Sequence, residues 1–475
     1  MASLYNNDRP GAFQLSEVNL ISYKSPDGSG TPARLDIRSL ISDFNIYESL
    51  DSKFLTGNIT LTDGTNAIQE LPLTGYERIE FYLRSPGTDK GFNFSVKNGH
   101  PMFVYSLKNR QQINPRSQLY TLGFCSMEAI RDCQTRISKA FTGNIDQMIT
   151  DICVDHLKTK KDILVEETKS NHKFVIPRIN PSKAIDQLRK SAQSVHFENS
   201  GFLFFENATG FQFKSYEGLF CKKDGTPREV KAHYSPKIKN TGEDDIYQLQ
   251  SVESFRILQQ YDTLENATYG VYASRLITHD LYNKTFSESD FDYNLEYSKQ
   301  NHLEQDANGG KRGDNSILPL FNYDSGDTFD TKYEGVVHYQ SETSKVHDTH
   351  ELPDSKNILQ KRISQHIATN ALVIEITIPG HTEIQVGDIV HFTLPMYKSP
   401  DNTDKTGEDI YLTGRYLIKA ARHHVSALNK RHTMVLELIK DSFNTEYPDE
   451  PQDLWTNNEE QNGLLYSATE VDDFS

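Results

Sequence analysis

The sequence predicts a β-rich α+β multidomain protein: two similar antiparallel β-barrels, a small α+β domain and a polar insertion. Three observations predict it. Short alternating runs, rich in β-branched and aromatic residues and separated by Gly, Asp, Asn and Pro, fill both ends of the chain. One internal stretch changes to a helical period. The strand pattern near the N-terminus then recurs, in the same order, near the C-terminus. A chain of 475 residues is too long for one ordinary domain.

Residues 1–130 read as the first barrel domain, with strands over 18–23, 43–49, 57–61, 78–83, 102–109 and 118–126. Residues 131–240 read as the small α+β domain. There Ile145, Met148, Ile149, Ile152 and Leu157 fall near i, i+3, i+4 and i+7, so 144–156 is an amphipathic helix. Asn180-Pro181 marks a second helix start, with Asn as cap and Pro in the first turn, and Ala184, Ile185, Leu188 and Ala192 form its apolar stripe. The stretch "SGFLFFENATGFQFKSYEGL" at 200–219 reads as a β-hairpin turning at Asn207-Ala208-Thr209-Gly210. Alternation sends Phe202 and Phe204 to one face, Leu203 and Phe205 to the other. Helices cover one face; the other is a candidate contact with a neighbouring domain or subunit.

The second barrel is read from two segments, 241–283 and 368–442, with strands over 247–263, 268–282, 372–378, 389–394, 411–423 and 433–439. Between them, 284–367 reads as an inserted polar excursion with one helix over 355–367, and the Arg-Gly-Asp at 312–314 as a turn. Residues 443–475 form an acidic tail: from Asp441 onward there are ten acidic residues and no Lys or Arg. The tail holds the sole Trp455 and the run Leu464-Leu465-Tyr466, and is either a disordered end or a partner-binding strap.

Composition narrows the function. A net charge of -16 excludes a basic nucleic-acid clamp. Hydrophobic content of 36% beside 11% aromatics suits a subunit of an assembly with much polar surface. Cys125, Cys133, Cys153 and Cys221 show no CxxC spacing and read as buried free thiols of a reducing compartment. The opening MASLYNNDRPGAF lacks a signal-peptide pattern, and no run reaches the ~20 apolar residues of a membrane span, so stable membrane association is not expected.

Chemical constellations are sparse. His347-Asp348-Thr349-His350-Glu351 has HxxH spacing, but in a loop rather than on a helix. His423, His424 and His432 lie on the last hairpin; His423 and His432 could face each other across strands, whereas adjacent histidines point to opposite faces. Acidic clusters such as Glu243-Asp244-Asp245 and 287–292 read as solvated turns, not as the paired geometry a glycosidase needs. There is no GxSxG, P-loop or GxGxxG. No catalytic, cofactor-binding or metal-ligating residue is assigned, and no cofactor is expected.

The repeat is the most informative feature. "ITLTDG", "GYERIEFYL", "PMFVYSLKNR" and "QLYTLGFCSMEAI" are followed, far down the chain, by "IEITIPG", "GDIVHFTL", "GRYLIKAARHHVS" and "HTMVLELIKDS". Each set gives a strand, a Gly-marked turn, a second strand and a long hairpin. A trimer of a subunit with two similar units presents six of them in a ring.

With the Asn180–Leu188 run "NPSKAIDQL", the aromatic hairpin, "IPGHTEIQVGDIVHFTLP" and "YLTGRYLIKAARHHV", the chain resembles the central baseplate hub proteins of contractile-tailed, T-even-type phages. That family is related to the hub portion of late-control proteins and of type VI secretion spike proteins. The resemblance implies two tail-tube-like barrels per subunit and a homotrimeric ring. The ring would adapt the sixfold tail tube to the threefold cell-puncturing spike, with DNA passing through its channel. It implies a non-enzymatic virion protein made in the host cytoplasm. Its implied partners are the spike and the tube or tube-initiator proteins, with the tape measure protein and baseplate wedge as further candidates. The alternative is a carbohydrate-active or lytic tail enzyme.

Overall fold

A computed structural model describes residues 10–22, 32–71, 73–86, 91–98, 100–169, 171–197, 200–236, 250–280, 283–305, 314–320, 335–342, 355–395 and 408–445. It is β-rich, with about 18% helix. The N-terminal strands are β1 (Gln14–Ile21), β2 (Arg34–Asp36), β3 (Ile41–Ser49), β4 (Thr56–Asp63), β5 (Arg78–Arg84), β6 (Gly91–Asn93), β7 (Met102–Asn114) and β8 (Ser117–Cys125). They run in the order β2-β1-β5-β7-β8-β4-β3, with β6 on β5. Alternation buries one face: Ile79, Phe81 and Leu83 of β5 meet Phe44 of β3 and Phe124 of β8. Phe44 and Phe81 contact edge to face at 4.8 Å.

The middle of the chain holds β9 (Ile137–Gly143), β10 (Asp162–Val165), β11 (His172–Ile179), β12 (Phe202–Asn207) and β13 (Gly210–Ser215). β9 pairs antiparallel with β11, a hairpin-like ribbon absent from the sequence expectation. The predicted helix over 144–156 is found as Ile145–Asp151, closing in a π turn over Ile152–His156. The second helix is Pro181–Arg189. Its N-terminus is held by Asp132 rather than by the predicted Asn180 cap: Asp132 Oδ1 accepts from Ser182 N at 2.6 Å and Oδ2 from Ser182 Oγ at 2.7 Å. Asn180 instead donates to the Asp132 carbonyl.

The C-terminal part contains β14 (Val230–Pro236), β15 (Ser251–Val252), β16 (Ser254–Gln259), β17 (Ala273–Asp280), β18 (Thr285–Asp292), β19 (Val337–Glu342), β20 (Leu372–Pro379), β21 (Ile389–Phe392), β22 (Gly414–Ser426) and β23 (Arg431–Lys440). β16, β20, β23, β22, β21, β14 and β15 pair in that succession. β17 does not join them. It makes a separate sheet, antiparallel to β18 and parallel to β19. The stretch read as a polar excursion is therefore partly structural. Tyr293, Tyr297, Leu303 and Leu318 are buried in the largest apolar cluster, with β20 and β23. The buried Lys440 ammonium donates to Glu304 Oε1 at 3.1 Å, and Asp441 accepts from Leu303 N at 3.1 Å, tying this stretch to β23. These contacts come from polar and aromatic side chains at irregular spacing, which a periodicity search passes over.

The expectation of two closed barrels is not met. Among the described residues no sheet closes into a barrel. Instead, β3 pairs with β22, and the two halves become one 15-stranded sheet. The edge that a closed first barrel would join to itself is used to join the halves.

Candidate assembly interface

The two halves repeat one strand order. β4-β8-β7-β5 in the first is matched by β20-β23-β22-β21 in the second, each step antiparallel. β3 flanks β4 as β16 flanks β20. The match extends to irregularities. β7·β8 is bulged between Val104 and Ser106, opposite Phe124 and Gly123. β22·β23 is bulged between Ile418 and Ala420, opposite Leu438 and Glu437. Just before each bulge the same bond recurs: Val104 N donates to the Glu77 carbonyl at 3.0 Å, and Ile418 N to the Asp388 carbonyl at 3.0 Å. A bulge inserts one residue and turns the strand, so two bulges at one topological position are a strong mark of a shared architecture.

The bulge splits one edge of β22 between two partners. Gly414–Leu417 pairs with β21, and Ala420–Ser426 with β3, in register Ala420↔Ser49 to Ser426↔Asp43. The bulged Lys419 carbonyl accepts from Leu50 N at 2.8 Å and fastens the end of the seam. Two basic side chains cross it: Arg422 Nε donates to Asn45 Oδ1 at 3.0 Å, and His424 Nε2 lies 3.1 Å from Asp43 Oδ1.

β7 has a split edge at the same place, half of it unfilled among the described residues, but beyond the shared bulge it carries two further irregularities, at Lys108–Gln111 and Gln112–Asn114, that β22 lacks. β5 pairs only with Met102 and Phe103, and beyond Val104 no described strand pairs with that edge. Its side chains from Lys108 to Asn114 are exposed, and Tyr105 and Ile113 keep 50% and 54% of their surface. Among the described residues β16 likewise pairs with β20 alone; Phe255 and Ile257 are half-buried against the C-terminal cluster, while Ser254, Arg256, Leu258 and Gln259 are exposed. Such edges are ready templates for another chain.

The domains between these edges are locked by buried polar groups. Lys161 is bonded to Glu128 Oε2 at 3.1 Å and to Glu206 Oε1. Glu206 Oε2 accepts from Ser126 Oγ at 2.7 Å and Leu55 N at 2.9 Å, joining the hairpin to the first half. Burial raises the Glu206 carboxyl above its ordinary range. Glu48 of β3 accepts from Ala208 N and Val386 N, each at 3.1 Å, and burial pushes its carboxyl up to about 8. One side chain thus spans the first half, the hairpin turn and the second half.

The aromatic hairpin finds partners for both faces within its own chain. Phe202, Phe204, Phe211 and Phe213 pack with the two helices, Phe202 stacked on Phe213 at 4.7 Å. Leu203 and Phe205 join the C-terminal cluster with Leu219. Gly387, at φ +88, turns there, and a Cβ would stand 3.2 Å from Phe205 Cζ. The second face is therefore a domain contact; a subunit contact there is ruled out by its burial.

Sites weighed in the sequence resolve unevenly. His423 and His432 do meet, Nδ1 to Nε2 at 3.2 Å, fully buried, with Phe92 edge-on to His423 at 4.7 Å. Burial pushes the His423 imidazole down to about 3 and His432 well down, so both are neutral, one N–H donating to the other ring. Among the described residues no group of three His, Cys, Asp or Glu is set to hold a metal ion. His424 points away, into the seam. His347–Glu351, Glu243–Asp245, Trp455 and 464–466 lie outside the described residues; the acidic cluster 287–292, expected as a turn, instead lies in β18, where pairing with β17 holds it extended. Cys125, Cys153 and Cys221 are buried free thiols as expected; Cys133, on the outer side of the helix Met127–Gln134, is exposed. Among the described residues no helix is long and apolar enough to cross a membrane.

No protein-family model and no curated protein matches this chain. Among solved structures, the chain is similar to a tail protein of Neisseria meningitidis at 11% identity and TM-score 0.48, covering 90% of this chain and 96% of that one. It is similar to a prophage tail protein of Shewanella oneidensis at 10% identity and TM-score 0.46, covering 90% and 98%. It is also similar to an E. coli component of the type VI secretion system, itself described as structurally similar to T4 bacteriophage tail proteins, at 8% identity and TM-score 0.40, covering 87% and 78%. The structural neighbours of this chain are thus phage tail and baseplate proteins and their secretion-system counterparts.

Proposed function

We propose that this chain is the structural hub subunit of a phage-type baseplate. Three copies close into a ring of six similar halves. One face of the ring meets a sixfold tail tube or its initiator, and the other holds a threefold spike, with a channel for DNA between. The observation that carries this reading is the repeat of strand order, bulge and bulge-adjacent hydrogen bond in the two halves. Only a duplicated subunit lets a trimer offer six like contacts. The net charge of -16 supports a conduit that does not retain DNA. The proposed location is the virion baseplate, with synthesis in the host cytoplasm, and no catalytic role is assigned.

Co-expression with the spike protein of the same phage, followed by images of the complex down its axis, tests the reading. Three spike chains on a ring with six lobes are expected. A one-to-one complex without threefold symmetry contradicts it, as does degradation of peptidoglycan or polysaccharide by the purified chain.

A further inference from the structure

We infer that the cleft where the hairpin, the first half and the second half meet binds a small organic anion carrying a carboxylate or phosphate group. The site stands independently of the hub reading, because it needs no second copy of the chain. A cavity of about 520 Å³ opens there, within the size range that takes small ligands. Tyr82 and Asn93 line it from the first half, Gln212 and Lys214 from β13, and His381 and Asp388 from the second half. Alternation along β13 gives Phe211 and Phe213 to the helices and leaves Gln212 and Lys214 on the opposite face. Gln212 keeps only 5% of its surface, yet its amide makes no hydrogen bond with any described residue. Lys214 is half-buried and has neither a hydrogen bond nor an ion pair among them. His381 Nδ1 is buried with no hydrogen-bond partner among them either. Buried polar groups are normally satisfied, so three such groups around one cavity, from two separate parts of the chain, point to a ligand that meets them together.

The charge in the cleft sets the sign of that ligand. Lys214, Arg228 and Lys231 line it, and no described carboxylate pairs with any of them. Arg228 donates to the Leu219 and Gly387 carbonyls at 3.3 and 3.4 Å and keeps its charge uncompensated. Of the two carboxylates in the lining, Glu383 and Asp388, Asp388 accepts from Gln385 N at 3.2 Å, and burial raises it toward its neutral form. Burial, with Arg228 nearby, lowers the Lys214 ammonium, so an anion placed against it relieves a cost of the fold. The rim is held in place without the ligand: Asn207 Nδ2 donates to the Val386 carbonyl at 3.3 Å and Thr209 Oγ1 to Gln385 Oε1 at 2.7 Å. A preformed rim loses little freedom on binding.

Calorimetric titration of the purified chain with citrate and with inorganic phosphate, at an ionic strength held constant with sodium chloride, tests the site. Saturable binding of one anion per chain is expected for at least one of them; citrate marks a carboxylate ligand and phosphate a phosphate ligand. Lys214→Met is expected to weaken that binding about tenfold and Gln212→Met about fivefold. Lys223→Met, at an exposed position outside the cleft, is expected to leave it unchanged. Because its buried charge is costly, Lys214→Met is expected to keep or raise the urea midpoint without ligand, so lost binding does not report lost folding. If Lys214→Met fails to fold, Gln212→Met carries the test. Heats no larger than those of sodium chloride alone for both anions, or an affinity that neither variant lowers, overturn the inference.

Discussion

His423 and His432 show how a burial decision sets pH behaviour. Both imidazoles are neutral in the fold and regain an ordinary affinity for protons, near 6.5, once unfolded. The unfolded chain thus binds more protons below that pH. Their contribution is complete above pH 6.5 and is lost as pH falls below it, for His423 down to about 3, at about 1.4 kcal/mol per pH unit for each ring that the unfolded chain protonates. Urea titrations at pH 7 and pH 5 are expected to show this loss, and the His423→Leu/His432→Leu variant to show a shallower one. An unchanged slope would sink the neutral-pair account. Lys161 is the opposite case, a buried cation between two carboxylates. Lys161→Met leaves Glu128 and Glu206 buried and uncompensated, and a loss of about 3–5 kcal/mol is expected in denaturant unfolding. The sequence suggested that the two histidines could meet, because alternation on a hairpin constrains which face each takes. It carried no sign of the Lys161 cluster, whose members come from three elements with no common spacing.

At the scale of elements, strands with strict alternation were legible. β3, β5, β20 and β23 stand within a few residues of their expected bounds. β9 and β11 were not, since their ribbon is half exposed and mixes Lys, Arg and Pro with its apolar residues. The same holds for β18 and β19, polar and largely solvent-facing strands that are held by pairing with β17 and show no apolar alternation of their own. The aromatic hairpin was read correctly as a two-faced element, and its second face proves to bind the chain's own C-terminal half. Phe205→Ala empties space beside Leu219 and Gly387 and is expected to cost about 3–5 kcal/mol, read as a lower urea midpoint at unchanged slope. A loss below about 1 kcal/mol would mean the hairpin is not the keystone between halves that its burial implies.

For the whole molecule, the duplication was visible in four matched motifs, and the structure extends it to the bulges themselves. The joining of the halves was not visible. Which edges pair depends on β22 being long enough to serve two partners, and no local pattern encodes that. The central claim is that this repetition exists to build a ring. The measurement that tests it most directly is the solution mass of the purified chain across a concentration series, with negative-stain images of the same fractions. A trimer with a central hole is the predicted result. A monomer at every concentration, or a closed dimer, would contradict it.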